Sequence, residues 1–262
     1  MDGTREAIRS NVREQVSEAE WALRTQLAAC YRIIDHLGWT ELIWSHTTVR
    51  VPGPETHFLI NPYGLRYDEV TASNLVKIDL DGKVVGAVDH MINPAGFVIH
   101  SAIHAVRHDA ACVMHIHTPA GMAVAAQANG LLPVSMYALG YDGQIAYHDF
   151  EGPSLTLDER ERLAKNLGDK NLLILRSHGT LTCGRTIPEA FLHMYRLQRS
   201  CEVQLMAQGG GGKLIVPPAK VRKDSVDLSQ EFFKTGGFST YGELEFSALV
   251  RLMDKKDPSY RN

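Results

Sequence analysis

The pattern of apolar and polar positions along the chain predicts helices that alternate with short strands. Over residues 18–37 apolar side chains recur every three or four positions, which is typical of a helix with one buried face. A Ser-x-x-Glu pattern at Ser17 marks the start of this helix, and Gly38 marks its end. The preceding residues 1–17 are polar and are expected to form a flexible N-terminal arm.

The middle of the chain has the pattern of a mixed α/β region. Short β-like runs cover residues 42–51 and 58–61, and Asp81-Gly82 is a favoured turn for a hairpin. Further helices are predicted over about 94–107, 120–128, 155–167 and 186–208, with a buried strand over 171–175.

The end of the chain follows a glycine-rich break. Four glycines at 209–212 indicate a flexible connection. We therefore expect one domain over residues 18–208 and a C-terminal extension over 209–262. The extension is predicted to contain one amphipathic helix, at roughly 242–253.

One predicted strand, at residues 111–117, carries two histidines at alternating positions. Because side chains alternate along a strand, His115 and His117 project to the same face with their rings close together. A buried imidazole carries a donor and an acceptor that both need partners. A divalent cation would satisfy one nitrogen on each ring, and the alternative is a pair of hydrogen-bonded core histidines. The pattern favours the metal.

A third histidine stands in a similar position. His178 follows the predicted strand at 171–175 and precedes a glycine. Three neutral imidazoles from two strand ends, with one coordination position open, are what a catalytic metal site requires. The open position allows the ion to polarise a carbonyl group or to generate hydroxide.

Composition and charge narrow the choice of partner. The chain has 262 residues, 44% hydrophobic and 22% charged, and its formal net charge of -3 gives no reason to expect nucleic acid or an anionic membrane. The N-terminus lacks an apolar signal core and no run is long enough to span a bilayer, so a cytoplasmic location is expected. The four cysteines show no C-x-x-C spacing and are expected to be buried free thiols: Cys30, Cys112, Cys183 and Cys201.

Several motifs between about Trp21 and Gln208 carry a family resemblance. They are Ser45–Arg50, Ile60–Gly64, His115–Thr118, Ser177–Thr180 and the predicted helix Glu189–Glu202. Together they resemble the class II aldolase/adducin domain family. The resemblance implies an α/β fold, a three-layer α/β/α sandwich with a largely antiparallel central sheet. It also implies a cyclic homotetramer whose active sites lie near subunit contacts.

The resemblance further implies a set of metal ligands. The sugar-phosphate aldolases of this family hold zinc with both histidines of the H-x-H strand and a third from a later turn. The matching positions are His115, His117 and His178. Zinc is the ion that the resemblance favours, with manganese or iron as alternatives. Such a metal binds the carbonyl and hydroxyl oxygens of a ketone and stabilises the enediolate formed when a C–C bond breaks.

The chain departs from the aldolase pattern in groups that bind substrate. The family's aldolases carry a catalytic carboxylate four positions before the first histidine of the helix predicted at 94–107. That histidine is His100, and the residue four positions earlier is Gly96. The glycine-asparagine of the first phosphate loop appears as Ser45-His46, and two phosphate-binding serines are absent. Because a phosphorylated ketose needs these groups, we expect a non-phosphorylated substrate.

Other segments are closer to the adducin head, a cytoskeletal binding module without known aldolase chemistry. They are Asn93–Phe97, Leu131–Ser135, Ala146–Gly152, Leu249–Asp254 and Asp257–Arg261.

Further residues are candidates for roles in the site. Those expected to line a substrate pocket are His46, Asn61, Tyr63, Gly64 and Gly96. His100 and His148 are candidates for a catalytic acid or base, His148 paired with Asp149. For His100 the alternative is core packing on the helix, and for His46 it is a turn histidine bonded to backbone. Adjacent residues on a strand face opposite ways, which weighs against the His148–Asp149 pair.

Three functions are consistent with the sequence. The first is a metal-dependent lyase of the aldolase or decarboxylase type, which cleaves a C–C bond in a small carbonyl or hydroxy-acid substrate through a metal-stabilised enolate. The second is an adducin-like binding or scaffold protein without catalysis, and the third is a non-haem iron oxygenase on the same fold. We expect a small-molecule substrate and a homo-oligomer, with neither nucleic acid nor membrane as a partner.

Overall fold

A central sheet lies between two layers of helices in the computed structural model, which describes residues 12–86, 88, 90–152, 159–235 and 239–262. The strands in chain order are β1 (His46–Arg50), β2 (Phe58–Ile60), β3 (Val76–Ile78), β4 (Cys112–Ile116), β5 (Ile145–His148), β6 (Leu172–Leu175) and β7 (Gly179–Gly184). The helices are α1 (Glu18–His36), α2 (Pro94–Val106), α3 (Pro119–Ala125), α4 (Met136–Leu139), α5 (Glu159–Leu167), α6 (Ile187–Gly209), α7 (Ala219–Thr235) and α8 (Glu243–Lys256). Short 3-10 helices cover Tyr67–Glu69 and Pro258–Arg261.

The strands run across the sheet in the order β3-β2-β1-β4-β7-β6-β5. Every neighbouring pair is antiparallel except β5 and β6, which are parallel. The register places His46 opposite His115 and Ile116 opposite Thr180. The predicted α/β fold with a largely antiparallel central sheet is confirmed.

Alternate residues of β4 face the two helical layers. Cys112, Met114 and Ile116 join a core cluster that contains residues of α1, α6 and α8. Val113 joins a second cluster with residues of α2 and α5 on the opposite face. Since side chains alternate along a strand, His115 lies on the same face as Val113. The three-layer order therefore follows from a strand whose two faces are both buried.

Helix α1 begins where the sequence predicts, but its capping differs from the expected pattern. The Ser17 hydroxyl accepts a hydrogen bond from the Glu20 backbone N–H. The buried Glu20 carboxylate does not accept the hydrogen bond from the Ser17 backbone N–H that a capping box requires. It binds Arg24 within the helix and Lys77 of β3 instead. This side chain therefore joins α1 to the edge strand of the sheet.

The predicted N-terminal arm falls partly outside the described residues, which begin at residue 12. Residues 12–15 are helical, and Val12 is buried in a cluster with Phe58 and Ile60. This part of the arm therefore packs against the sheet, in contrast to the flexible arm expected. The predicted helix start at 155–158 also lies outside the described residues.

The C-terminal extension contains two helices, whereas the sequence predicted one. Helix α8 matches the expected element, and α7 precedes it. The ion pairs Lys220–Asp224 and Lys223–Asp227 stabilise α7, which buries Phe233 and leaves most of its surface charged or exposed. Phe246 of α8 lies in the core beside α1, and the boundary between the domain and the extension stays a prediction.

The remaining sequence expectations concern membranes and cysteines. Among the described helices, none has both the length and the apolar character needed to cross a bilayer. All four cysteines are buried and free, as predicted.

Candidate metal centre

Three histidines meet where central strands of the sheet end. His115 and His117 lie at the end of β4, and His178 lies in the turn between β6 and β7. The Nε2 atom of His117 is 2.7 Å from Nε2 of His115 and 3.0 Å from Nε2 of His178. In the described part of the chain they form the one group of potential ligands close enough to hold a metal ion. His115 is buried, whereas His117 and His178 are partly exposed, so this histidine trio can be reached from outside.

Hydrogen bonding determines which nitrogen of His115 faces the trio. Its Nδ1 atom lies 2.9 Å from the carbonyl oxygen of Thr180, and because a carbonyl oxygen only accepts, Nδ1 carries the proton. The Nε2 atom therefore presents a lone pair to the other two rings. This is the orienting contact that metal-binding histidines usually make.

Burial keeps the trio uncharged. Burial, and to a smaller extent the charge of His117, lowers the pKa of His178 to about 4. Burial also lowers the pKa of His117 and lowers that of His115 well below its usual range. All three rings are therefore neutral at pH 7, the form in which imidazole binds metals.

The donor set fits a divalent cation. Nε2 of His117 is in contact with both other Nε2 atoms, yet it can carry at most one proton. Without a cation, at least one of these two contacts lacks a well-aligned N–H donor. An ion shared by the three lone pairs removes this conflict, and imidazole ligands suit zinc and iron better than magnesium or calcium.

The third histidine depends on a tight turn. Ser177 has φ +54°, a left-handed conformation that non-glycine residues rarely adopt. Two residues after Ser177, a Cβ on Gly179 would lie 2.6 Å from the carbonyl oxygen of Ile116 and 3.0 Å from the ring of His117. Glycine is therefore required at 179 for the turn to bring His178 against the end of β4.

A fourth imidazole forms the inner wall beside the trio. The ring of His46 lies 5.4 Å from the ring of His115, centroid to centroid. A Cβ at Gly96 would lie 2.7 Å from Nδ1 of His46, so this ring fills the space that any side chain at 96 would enter. Burial lowers the pKa of His46 to about 3, so this ring is uncharged at pH 7. The two predicted pocket residues thus lie in direct contact.

His100 lies on the other side of His46, with ring centroids 4.2 Å apart. Its Nδ1 is 2.8 Å from the hydroxyl oxygen of Thr48, which is also 2.7 Å from Nε2 of His104. Since one hydroxyl proton serves two rings, one histidine accepts a hydrogen bond and the other donates one. His46, rather than His100, is the ring in contact with His115, so the observed contacts of His100 are structural.

The other predicted pocket residues lie in the loop that follows β2. The Asn61 side chain accepts a hydrogen bond from the buried hydroxyl of Tyr31 at 3.0 Å, which fastens this loop to α1. The Tyr63 ring packs on Trp44 at 5.7 Å, and Gly64 has φ +99°, which favours glycine. These contacts explain the residues structurally, and their part in a substrate pocket stays a prediction.

His148 has partners that differ from the predicted ones. Its Nε2 is 3.2 Å from a carboxylate oxygen of Glu159, and its Nδ1 is 2.8 Å from the side-chain amide of Asn166. Asp149 does not provide the expected contact. The ring therefore joins β5 to α5.

Two parts of the site could not be recognised from sequence patterns. The carbonyl group of Thr180 orients His115, and a backbone group cannot be recognised from residue type. The ring of Phe150, 56% exposed, lies 6.4 Å from the ring of His178. Its position depends on how the chain leaves β5, which local patterns do not reveal.

Comparison with known sequences assigns the chain to a family. The model of the class II aldolase and adducin N-terminal domain matches residues 25–205. The chain is 48% identical over 257 residues to a Pseudomonas aeruginosa protein whose name assigns it provisionally to the class 2 aldolases, covering 97% of this chain and 98% of that protein. It is also 44% identical over 247 residues to alpha-adducin of Rattus norvegicus, covering 90% of this chain and 34% of adducin.

Solved structures agree with this assignment. An aldolase II superfamily protein from Pseudomonas syringae matches with a TM-score of 0.89 and 44% identity, covering 96% of this chain and 99% of that one. The L-fuculose 1-phosphate aldolase of Glaciozyma antarctica matches with a TM-score of 0.77 and 28% identity, covering 94% and 93%. The chain therefore belongs to the class II aldolase and adducin N-terminal domain family.

Proposed function

We propose that this protein is a metal-dependent lyase of the class II aldolase type, with His115, His117 and His178 as the ligands. The observation that carries the proposal is the convergence of three neutral Nε2 atoms at the end of β4 and in the turn between β6 and β7. The similarity to an L-fuculose 1-phosphate aldolase supports the reaction class. When bound, the ion would act as a Lewis acid toward substrate oxygens, and zinc is the first candidate.

The protein's own residues would orient the ligands and admit the substrate. The Thr180 carbonyl holds the proton of His115 on Nδ1, away from the trio. The partly exposed rings of His117 and His178 form the side from which a small molecule can approach. On the opposite side, His46 packs against Gly96 and closes the wall.

The substrate we propose is a small, non-phosphorylated carbonyl compound or hydroxy acid. Position 96 offers no carboxylate, and the His46 ring occupies the adjacent space. Because burial lowers the pKa of His46 to about 3, this ring supplies no positive charge for a phosphate group. A homo-oligomer, tetrameric in the family, is part of the same proposal.

A second candidate is an adducin-like binding protein without catalysis. Two observations favour it: the 44% identity to alpha-adducin and the glycine at position 96. In this case the histidine trio would hold a structural ion or none.

Metal analysis and a cleavage assay distinguish these candidates. We expect purified protein to hold about one metal ion per chain and to release an aldehyde from a member of a panel of non-phosphorylated hydroxy-carbonyl compounds and hydroxy acids. Phosphorylated ketoses serve as the comparison. An ion without cleavage of any compound, or no ion at all, would favour the binding protein; iron with oxygen uptake would favour an oxygenase.

The ligand assignment is tested by substitution. His115→Ala and His178→Ala should each lose stoichiometric metal and all cleavage, while circular dichroism remains that of a folded protein. His108→Ala is the matched control, because His108 is exposed on the loop before β4. Retention of the wild-type metal content in either trio variant would show that these residues are not the ligands.

A further inference from the structure

A second, unassigned pocket lies where α7 crosses α4 and α6. We call it the Arg196 groove; it is lined by Met136, Tyr137, Arg196, Leu228, Phe232 and Phe233 and has a volume of about 330 Å³. This is within the size range of small-molecule sites. The match to the family domain ends at residue 205, so α7, which forms one wall, lies beyond that domain.

The base of the groove holds a cation surrounded by aromatic rings. The guanidinium carbon of Arg196 lies 5.5 Å from the ring centroid of Tyr137, 5.7 Å from that of Phe232 and 5.9 Å from that of Phe233. The ring of Tyr241 is 5.3 Å away. Rings at these distances stabilise a positive charge and hold the guanidinium in place.

No carboxylate pairs with this cation in the described part of the chain. The ion pairs there include neighbouring Arg199, which binds Glu202, but they do not include Arg196. The hydroxyl groups of Tyr141 and Tyr241 lie near Arg196, and both are uncharged because burial raises their pKa. Arg196 is half-buried, and none of its nitrogens is both buried and unbonded, so its remaining N–H groups are accessible. The guanidinium therefore retains donors for an anion.

The outer part of the groove is apolar and open. Met136 is 75% exposed, Leu228 74% and Phe232 38%. The close approach of α7 to α4 depends on Gly140, since a Cβ there would collide with the hydroxyl of Ser229. The groove thus combines one oriented cation at its base with exposed hydrophobic walls.

We propose that the Arg196 groove binds a small amphipathic carboxylate, with the carboxylate on Arg196 and the hydrocarbon part between Met136, Leu228 and Phe232. A planar guanidinium matches a carboxylate through two parallel hydrogen bonds. A single cation in aromatic surroundings suits one negative charge better than the higher charge of a phosphate. The apolar walls account for the hydrocarbon part, since burying them gains free energy. This site is separate from the histidine trio and does not depend on the proposed reaction.

Calorimetric titration of the full-length protein with octanoate tests the proposal, with 1-octanol as the uncharged control. We expect saturable binding of octanoate, with 1-octanol binding at least about tenfold more weakly because it lacks the charge-assisted hydrogen bonds. Equal affinities for both ligands, or no binding of octanoate at millimolar concentration, would overturn the proposal.

Three variants locate the site. Arg196→Met keeps an unbranched, flexible side chain but removes the charge, and Leu228→Glu places a repelling charge at an exposed position of the wall. Each should weaken octanoate binding by about tenfold or more. Arg199→Met on the same helix is the matched control, because that cation is already paired with Glu202. Wild-type affinity in folded Leu228→Glu and Arg196→Met proteins would show that octanoate does not bind here.

Discussion

At the scale of single residues, the wall of the site depends on the fit between His46 and Gly96. The sequence indicates the three histidines of the trio because alternation along β4 and a histidine before Gly179 are local features. It does not reveal that the His46 ring fills the space above Gly96, since this contact depends on how closely the start of α2 approaches β1. The tautomer of His115 was equally unpredictable, because a backbone carbonyl fixes it.

The fit predicts strong coupling between positions 46 and 96. Gly96→Ala should lower the free energy of unfolding by about 1–3 kcal/mol, because the new methyl group overlaps a ring that His100 and His115 confine. In a His46→Ala background the same substitution should be neutral, or stabilising by up to about 1 kcal/mol, because alanine favours the helix. Urea unfolding of the four proteins measures the coupling.

A matched comparison separates the steric overlap at position 96 from the higher helix propensity of alanine. Gly209→Ala adds a methyl group at the end of α6, where no atom lies within 4 Å of the new Cβ. Its effect should be the same with and without His46. If the effects of His46→Ala and Gly96→Ala add to within about 0.5 kcal/mol, the two residues do not compete for space.

At the scale of elements, the last helix is part of the core although it follows the predicted break. The position of α8 was predictable from its own periodicity, but its packing on α1 and α6 was not. Phe246 is 1% exposed, and its ring lies 5.6 Å from the ring of Phe191 in α6. Tyr260, in the 3-10 helix that follows, is also fully buried. Glycines at 209–212 therefore mark a turn in the chain and not the end of the packed structure.

This packing predicts a large effect at Phe246. Phe246→Ala should lower the free energy of unfolding by about 3–5 kcal/mol, because it removes a buried ring from a core shared by three helices. Chemical denaturation provides the measurement. Leu244→Ala, on the same helix but 60% exposed, should change stability by no more than about 0.5 kcal/mol. A change below about 1 kcal/mol for Phe246→Ala would mean that α8 is a dispensable extension.

At the scale of the whole molecule, the interior of the protein contains several uncharged histidines. Burial lowers the pKa of His46, His104 and His193 to about 3, and it lowers that of His100 well below its usual range. The number of histidines can be read from the sequence, whereas their burial depends on the complete packing of both helical layers. These residues tie the stability of the whole fold to pH.

Acid should therefore destabilise the protein before its carboxylates titrate. Between pH 6.5 and about pH 3 the unfolded chain binds protons at these histidines while the folded chain does not, so the free energy of unfolding falls as pH falls. Each such group contributes up to about 1.4 kcal/mol per pH unit. Urea midpoints at pH 7, 6 and 5, measured with a chelator present, should decrease steadily.

His193 provides the test of this assignment, because it lies in α6, away from the trio, with its Nδ1 on the hydroxyl of Tyr141. His193→Gln should reduce the slope of stability against pH by the equivalent of one proton. Exposed His108→Gln should leave the slope unchanged. A stability that stays constant from pH 7 to pH 5 would contradict the burial of neutral histidines.

The crowding around Gly179 has a use beyond this protein. A homologue with the same backbone that carried alanine or a larger residue there would have to move its turn away from the end of the neighbouring strand, even if it retained all three imidazoles. If the proposed ligand assignment holds, genome-scale surveys could sort members of the family by this glycine as well as by the three histidines, since members without the glycine are expected not to assemble the same centre.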